Sequence, residues 1–313
     1  MVVIEAKEKM ILDEPIRKLK DYIEFNNIPL EQVAFSFSGG KDSTLLLWMV
    51  EQLGWKNKVK VVFFDTRMEY DATYRFVEQK RKEGWNIDTQ YPRIPAPIIY
   101  TRYGIPIISK VGAEMLYRLQ KWNFDFINDT LKEFEELIIK YPKCKSALQW
   151  LTGYGRGKIK CPVWIRNKLA KEGLNFKVAN DCCKYLKKLP VYDYVKAHNI
   201  KISVTGERIA EGGARSFAYH SCLIPNKLYT KFMPLLYLSD EDVMTLIREN
   251  NIQLNECYTK YGLKRTGCVA CPFSQNIEHE LEILKQYEPN KHTAMIKLLG
   301  NAYPFKIREK KND

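Results

Sequence analysis

The chain has no run of 18 apolar residues and no apolar core in its opening stretch, MVVIEAKEKMILDEPIRKLKDYI. The first absence argues against a membrane-spanning helix. The second argues against a secretory leader, so a cytoplasmic protein without a membrane partner is expected. There is no internal repeat and no low-complexity tract, which leaves out solenoids and compositionally disordered segments. The phosphate-binding pattern GxxxxGK[ST] is missing as well, because a single residue, Lys41, separates Gly40 from Asp42. No cysteine follows Cys271.

What remains is 313 residues, 45% of them hydrophobic, enough for one large α/β domain or a domain with an appendage. Fifty Lys plus Arg stand against 37 Asp plus Glu, a net charge of +13. That balance favours a polyanionic partner such as nucleic acid, a nucleotide or an acidic protein; plain solubility is the alternative. Eight cysteines in a cytoplasmic chain point to metal binding or catalysis before a disulfide framework.

Short apolar runs alternate with amphipathic ones. A helix is expected from about Glu5 to Asn26, then strands at Val33–Ser38, Lys58–Phe64, Ile87–Tyr91 and Lys201–Thr205. Helices are expected at Ser43–Leu53 and Asp71–Glu83 between them. Such alternation predicts a Rossmann-like (HUP-type) α/β fold, a parallel sheet flanked by helices. Between about 112 and 177 the pattern becomes helical, with helices expected at Ala113–Trp122 and Phe124–Tyr141, and reads as an insertion. Helices are expected again at Ser239–Asn250, Ile277–Tyr287 and Asn290–Leu299. The expected organisation is an N-terminal helix (1–28), a nucleotide-binding domain (29–224) and a helical C-terminal region (225–313).

The strongest local signal is Ser38-Gly39-Gly40-Lys41-Asp42-Ser43, between an apolar strand and a helix. Adjacent glycines let a backbone approach phosphate and adopt positive φ. The free N–H groups and dipole of the helix start attract an anion. Ser38 and Ser43 add hydroxyls and Lys41 a positive charge, while Asp42 suits orienting the loop or binding Mg²⁺. An unliganded strand-to-helix turn is the plain alternative. This loop resembles that of the PP-loop ATP pyrophosphatases, the adenine-nucleotide α-hydrolase superfamily. Along the phosphoadenosine phosphosulfate (PAPS) reductase branch the likeness continues through Val62–Tyr70, through Gly206-Glu207-Arg208 with Glu211, Arg215 and Ser216, and through Pro234–Val243. The resemblance implies ATP held by Ser36, Ser38, Gly39, Gly40, Asp42, Ser43, Asp65, Thr66, Glu69, Gly206 and Glu207. It implies catalysis by Lys41, Asp42, Arg208 and Arg215, the two arginines pairing with phosphate or sulfate oxygens.

Cys182-Cys183 and Cys268-x-x-Cys271 offer four soft ligands, which suit an Fe–S cluster or zinc. Adjacent cysteines point apart, so Cys257 is an alternative to Cys182 or Cys183. The spacing resembles the [4Fe–4S] pattern of assimilatory adenylyl sulfate reductases, which implies that cluster, with zinc or buried thiols as the alternatives. Reductases of this family also carry a nucleophilic cysteine near the C-terminus, and Cys144, Cys161 and Cys222 sit in no matching motif. That departure turns the expectation toward the DNA phosphorothioation proteins of the DndC and SspD kind and the tRNA thiolases. The expected reaction is adenylation of a nucleic-acid oxygen followed by sulfur insertion, with DNA or tRNA and a cysteine desulfurase as partners; whether the chain forms a homodimer stays open. Reduction of adenylyl sulfate or PAPS is one alternative, and a non-catalytic ATP-binding subunit of a defence complex is another. Between Arg156 and Lys188, ten Lys or Arg face two acidic residues. With Trp150, Tyr154, Trp164 and Phe176 nearby, this stretch suits either a nucleic-acid track or a solvated helical lid.

Overall fold

The computed structural model describes residues 2–155, 157, 159–212 and 221–307. Two compact units emerge: Met1–Pro92 with Lys187–Cys268, and Arg93–Leu186 with Val269–Asp313.

The first unit is built on a six-stranded sheet in the order β3-β2-β1-β4-β6-β5. Its strands are β1 (Val33–Ser36), β2 (Lys60–Phe64), β3 (Ile87–Gln90), β4 (Ile202–Val204), β5 (Leu223–Pro225) and β6 (Thr230–Phe232). All neighbours are parallel except β5, which runs antiparallel to β6. The expected parallel sheet flanked by helices is present, and the β5–β6 ribbon, whose three-residue strands are too short to produce a readable alternation, is added at its edge. Side chains alternate across the sheet as the pleat requires. Val33, Phe35, Val61, Phe63, Val204 and Phe232 pack with Leu45, Leu46 and Met49 of helix α2 (Lys41–Gln52). Ala34 and Val62 turn the other way, against Tyr194, Val195 and Ile200. Both faces are therefore covered, as parallel strands demand. Helix α1 spans Val2–Phe25 and α3 spans Asp71–Lys82.

The second unit is helical. Helices Lys110–Lys121, Phe134–Lys140, Lys145–Thr152 and Val163–Glu172 enclose a core of Leu116, Leu119, Leu137, Leu148, Ile165 and Leu169. The single helix expected over Phe124–Tyr141 is not formed; only Phe134–Lys140 is helical. Asp125 explains the break, since its Oδ1 accepts from the N–H groups of Ile127 (3.2 Å) and Asn128 (3.0 Å), offering the backbone an alternative to the helical ladder. The turn that follows buries Asp129, which accepts from Lys140 Nζ (2.6 Å) and Tyr141 Oη (2.5 Å) and pairs with Lys132 Nζ (3.0 Å).

Burial alone would raise the Asp129 pKa, but Lys140, Tyr141 and Lys132 outweigh it and hold the carboxyl down at about 2. A carboxylate with a depressed folded-state pKa stabilises above its unfolded value and loses that contribution as pH falls through the folded one. Asp129→Asn should therefore cost about 2 kcal/mol at neutral pH. The difference from wild type in urea unfolding should shrink as pH drops from about 4 toward 2; a difference constant across that window would refute the assignment.

Candidate nucleotide site

The first unit places the glycine loop at the C-terminal end of β1, where parallel α/β sheets receive ligands. Gly39 has φ +69° and Gly40 caps α2 in an extended conformation. Gly39 thus supplies the left-handed turn that a side chain resists. The loop is braced from within: Ser43 Oγ accepts from Ser38 N–H (3.1 Å), lies 3.1 Å from Ser38 Oγ and donates to Gly40 O (3.0 Å). Asn255 Nδ2 donates to Gly39 O (3.3 Å) and Tyr258 Oη accepts the Lys41 N–H (3.0 Å).

Under the loop lies an ion cluster. Arg208 is fully buried. Its Nε donates to Asp42 Oδ1 (2.6 Å), its Nη2 to Asp240 Oδ1 (2.5 Å) and its Nη1 to Leu238 O (3.0 Å). Lys41 Nζ reaches both Asp42 (3.2 Å) and Asp240 (3.1 Å). Two cations face two carboxylates, so the cluster closes on itself. Burial opposes the charged guanidinium, yet Asp240 and Asp42 hold its pKa above the ordinary value, and Arg208 in turn holds Asp240 below the carboxylate range.

Arg208 spends its fork on protein acceptors and positions Asp42, instead of presenting itself to phosphate. Both Asp42 oxygens sit among cationic partners, which does not fit a direct Mg²⁺ ligand. Arg215 and Ser216 lie outside the described residues. Gly206 earns its glycine through close approach: a Cβ there would stand 3.1 Å from the Asp42 carbonyl carbon and 3.1 Å from its Cβ. Glu207 pairs with Lys231 (2.7 Å) on β6.

At the end of β2, buried Asp65 accepts from Arg67 N–H (2.7 Å) and Tyr74 Oη (2.9 Å). Thr66 donates to Glu69 Oε1 (2.7 Å). These three acidic and hydroxyl groups hold the turn after the strand. Ser36, the last residue of β1, is half-buried.

The cysteines of the expected ligand set fall in both units. Cys257 is buried with Sγ 3.9 Å from Thr73 Oγ1, and Cys268 Sγ lies 3.8 Å from Thr66 Oγ1, both in the first unit. Cys182, Cys183 and Cys271 belong to the second, the first two in the helical turn that leads into a π-helical stretch, Lys184–Lys188. Among the described residues no three Cys, His, Asp or Glu side chains gather as a metal site. Burial pushes the Cys161 thiol up to about 12 and raises that of Cys144 as well, which suits neither to nucleophilic work. Of the aromatics near the basic stretch, Trp150 is core and Phe176 stacks edge-on to Phe305, while Tyr154 is exposed and lies flat on Phe134.

Sequence reasoning missed Asp240, Asn255, Tyr258 and Thr266. Asp240 had a visible signal, because Ser239 and Asp242 form a capping box that fixes it in the first helical turn.

Gly206→Ala should destabilise the unit by about 1–3 kcal/mol through overpacking against Asp42. A thermal unfolding midpoint unchanged from wild type would contradict the close approach.

Comparison with known proteins agrees on the family. The phosphoadenosine phosphosulfate reductase domain matches residues 32–95 and 108–274. A 53-residue stretch, 17% of this chain, is 49% identical to the uncharacterized nin region protein ORF290 of Escherichia phage lambda, and the match spans 18% of that relative's length. Among solved structures, the PAPS reductase of Candida auris is 13% identical with a TM-score of 0.43, covering 82% of this chain and 93% of that one. The Candida glabrata FMN adenylyltransferase with FAD and inorganic pyrophosphate is 13% identical with a TM-score of 0.46, covering 84% and 66%. The U34-tRNA thiolase NcsA of Methanococcus maripaludis with its [4Fe–4S] cluster is 13% identical with a TM-score of 0.34, covering 96% and 81%. None of these three likenesses reaches a TM-score of 0.5, and none bears on the reaction. The domain match covers well over half of the sequence, and the chain belongs to the PAPS reductase family.

Proposed function

We propose that this chain is an ATP pyrophosphatase that activates a nucleic-acid oxygen for sulfur insertion, as in DNA phosphorothioation or RNA thiolation. The observation that carries the reading is the braced start of α2. Gly39 turns the chain, and the Asp42–Arg208 pair (2.6 Å) fixes the first helical turn beneath it. A helix start held in this way offers N–H groups and a positive dipole end to phosphate oxygens. The Ser38 and Ser43 hydroxyls, now bonded to each other, would add donors by rotating.

In the reaction, the target oxygen attacks the α-phosphorus of ATP. The bond from that phosphorus to the bridging oxygen of the β-phosphate breaks, and pyrophosphate leaves. The developing charge falls where the loop aims its donors. The outer sulfur of a desulfurase persulfide then attacks the activated atom and AMP leaves; a thiol reductant cleaves the resulting S–S bond, so that the sulfur stays on the target and the desulfurase cysteine leaves in a mixed disulfide with that thiol. Mg²⁺, if ATP brings it, would be held mainly by the phosphates. The net charge of +13 supports a nucleic-acid partner.

A second reading is favoured by the half-buried Cys268 thiol beside Thr66: reduction of adenylyl sulfate or PAPS, with sulfite released. The two separate cleanly. A sulfurtransferase releases AMP and pyrophosphate from ATP only when DNA or tRNA and a sulfur donor are present. A reductase consumes adenylyl sulfate with thioredoxin and releases sulfite. Asp42→Asn should lower pyrophosphate release at least about a hundredfold, with circular dichroism unchanged. Full turnover in that variant would overturn the assignment of the site.

A further inference from the structure

The loop's best-placed amide is already taken. The Lys41 N–H, first in the helix, donates to Tyr258 Oη at 3.0 Å, from a residue 217 positions further along. Tyr258 Oη also lies 3.5 Å from Thr266 Oγ1. Both side chains press on Gly40: a Cβ there would stand 2.8 Å from Thr266 Oγ1 and 3.3 Å from Tyr258 Oη. Asn255 joins the same contact, bonding Gly39 O (3.3 Å) and Thr73 Oγ1 (3.1 Å). So a protein phenol oxygen occupies the position at which an anion would meet the helix dipole, and the glycine is needed by that docking. The segment delivering it runs from Asn255 through Cys257 to Cys268, whose Sγ rests 3.8 Å from Thr66.

We infer that Tyr258 is a ligand-displaced positioning residue: its hydroxyl stands in for a phosphate oxygen on the Lys41 amide and passes the loop's occupancy to the Cys257–Cys268 segment. The inference rests on the nucleotide reading of the loop. A phosphate oxygen carries more negative charge than a phenol oxygen, so it is the stronger acceptor for a helix-start N–H. When it takes that amide, Tyr258 loses its partner. Thr266 and Cys268 follow, because they lie on the same short segment. Competition has a definite sign: removing the hydroxyl while keeping the ring removes the competitor.

Isothermal titration calorimetry with inorganic pyrophosphate and with ATP tests this on the full chain. Tyr258→Phe should bind pyrophosphate about fivefold more tightly than wild type, the worth of one neutral hydrogen bond. Unchanged or weaker binding by the variant overturns the displacement while leaving the loop reading in place. Failure of wild type to bind either ligand overturns both. A second measurement needs no variant: alkylation of Cys268 by iodoacetamide, followed by peptide mapping, should speed up at least about fivefold with saturating pyrophosphate, the lower end of the usual coupling range. An unchanged or slower rate overturns the coupling even if Tyr258→Phe fails to fold.

Discussion

A guanidinium with no exposed surface is expensive to keep, and Arg208 is kept because three acceptors enclose it. Withdrawing such a group from water costs several kcal/mol, and only close partners return it. Asp42 supplies one from the glycine loop, and Asp240 with the Leu238 carbonyl supply the others from a second stretch of chain. The pairing ties the start of α2, the end of β4 and the helix Asp240–Glu249 into one rigid corner. Loop geometry, strand ends and helix start then cease to be independent variables. In a buried pair of this kind the loss of one partner leaves the other stranded, at about 3–5 kcal/mol. That is why the cluster serves precision more than affinity.

The corner also separates two jobs that a basic residue at a phosphate site can do. An arginine whose fork is committed to carboxylates cannot also clamp an incoming anion, so under the proposed nucleotide reading anion recognition falls to backbone N–H groups and hydroxyls. Neutral donors of this type suit a site where charge must be accepted and released in each cycle, since they hold the ligand without a full ion pair.

Much of this was legible. The run Val33–Ser43 carries an apolar strand, two glycines and an amphipathic helix in unbroken order, and each signal is local. Gly206 was legible as a motif member, although its physical reason, the 3.1 Å approach to Asp42, needed the fold. The misses have a common cause. Asn255 and Tyr258 are isolated polar residues whose loop partners lie about two hundred positions away, and no local period marks them or Thr266. The β5–β6 strands are too short to alternate visibly. Phe124–Tyr141 has helical composition, but one aspartate capping its own neighbours' amides overrides it.

One detail of the β5–β6 ribbon reaches beyond the site. Ile224 pairs with Lys231, and the Asn226 N–H turns inward to Tyr229 O. By the alternation of a strand, Pro225 directs its nitrogen to the opposite side. The outermost strand of the described sheet therefore ends on a residue with no donor to offer a seventh strand. Growth of the sheet by edge-to-edge pairing is discouraged along that border. If two copies of this chain associate, they have reason to do so through some other surface.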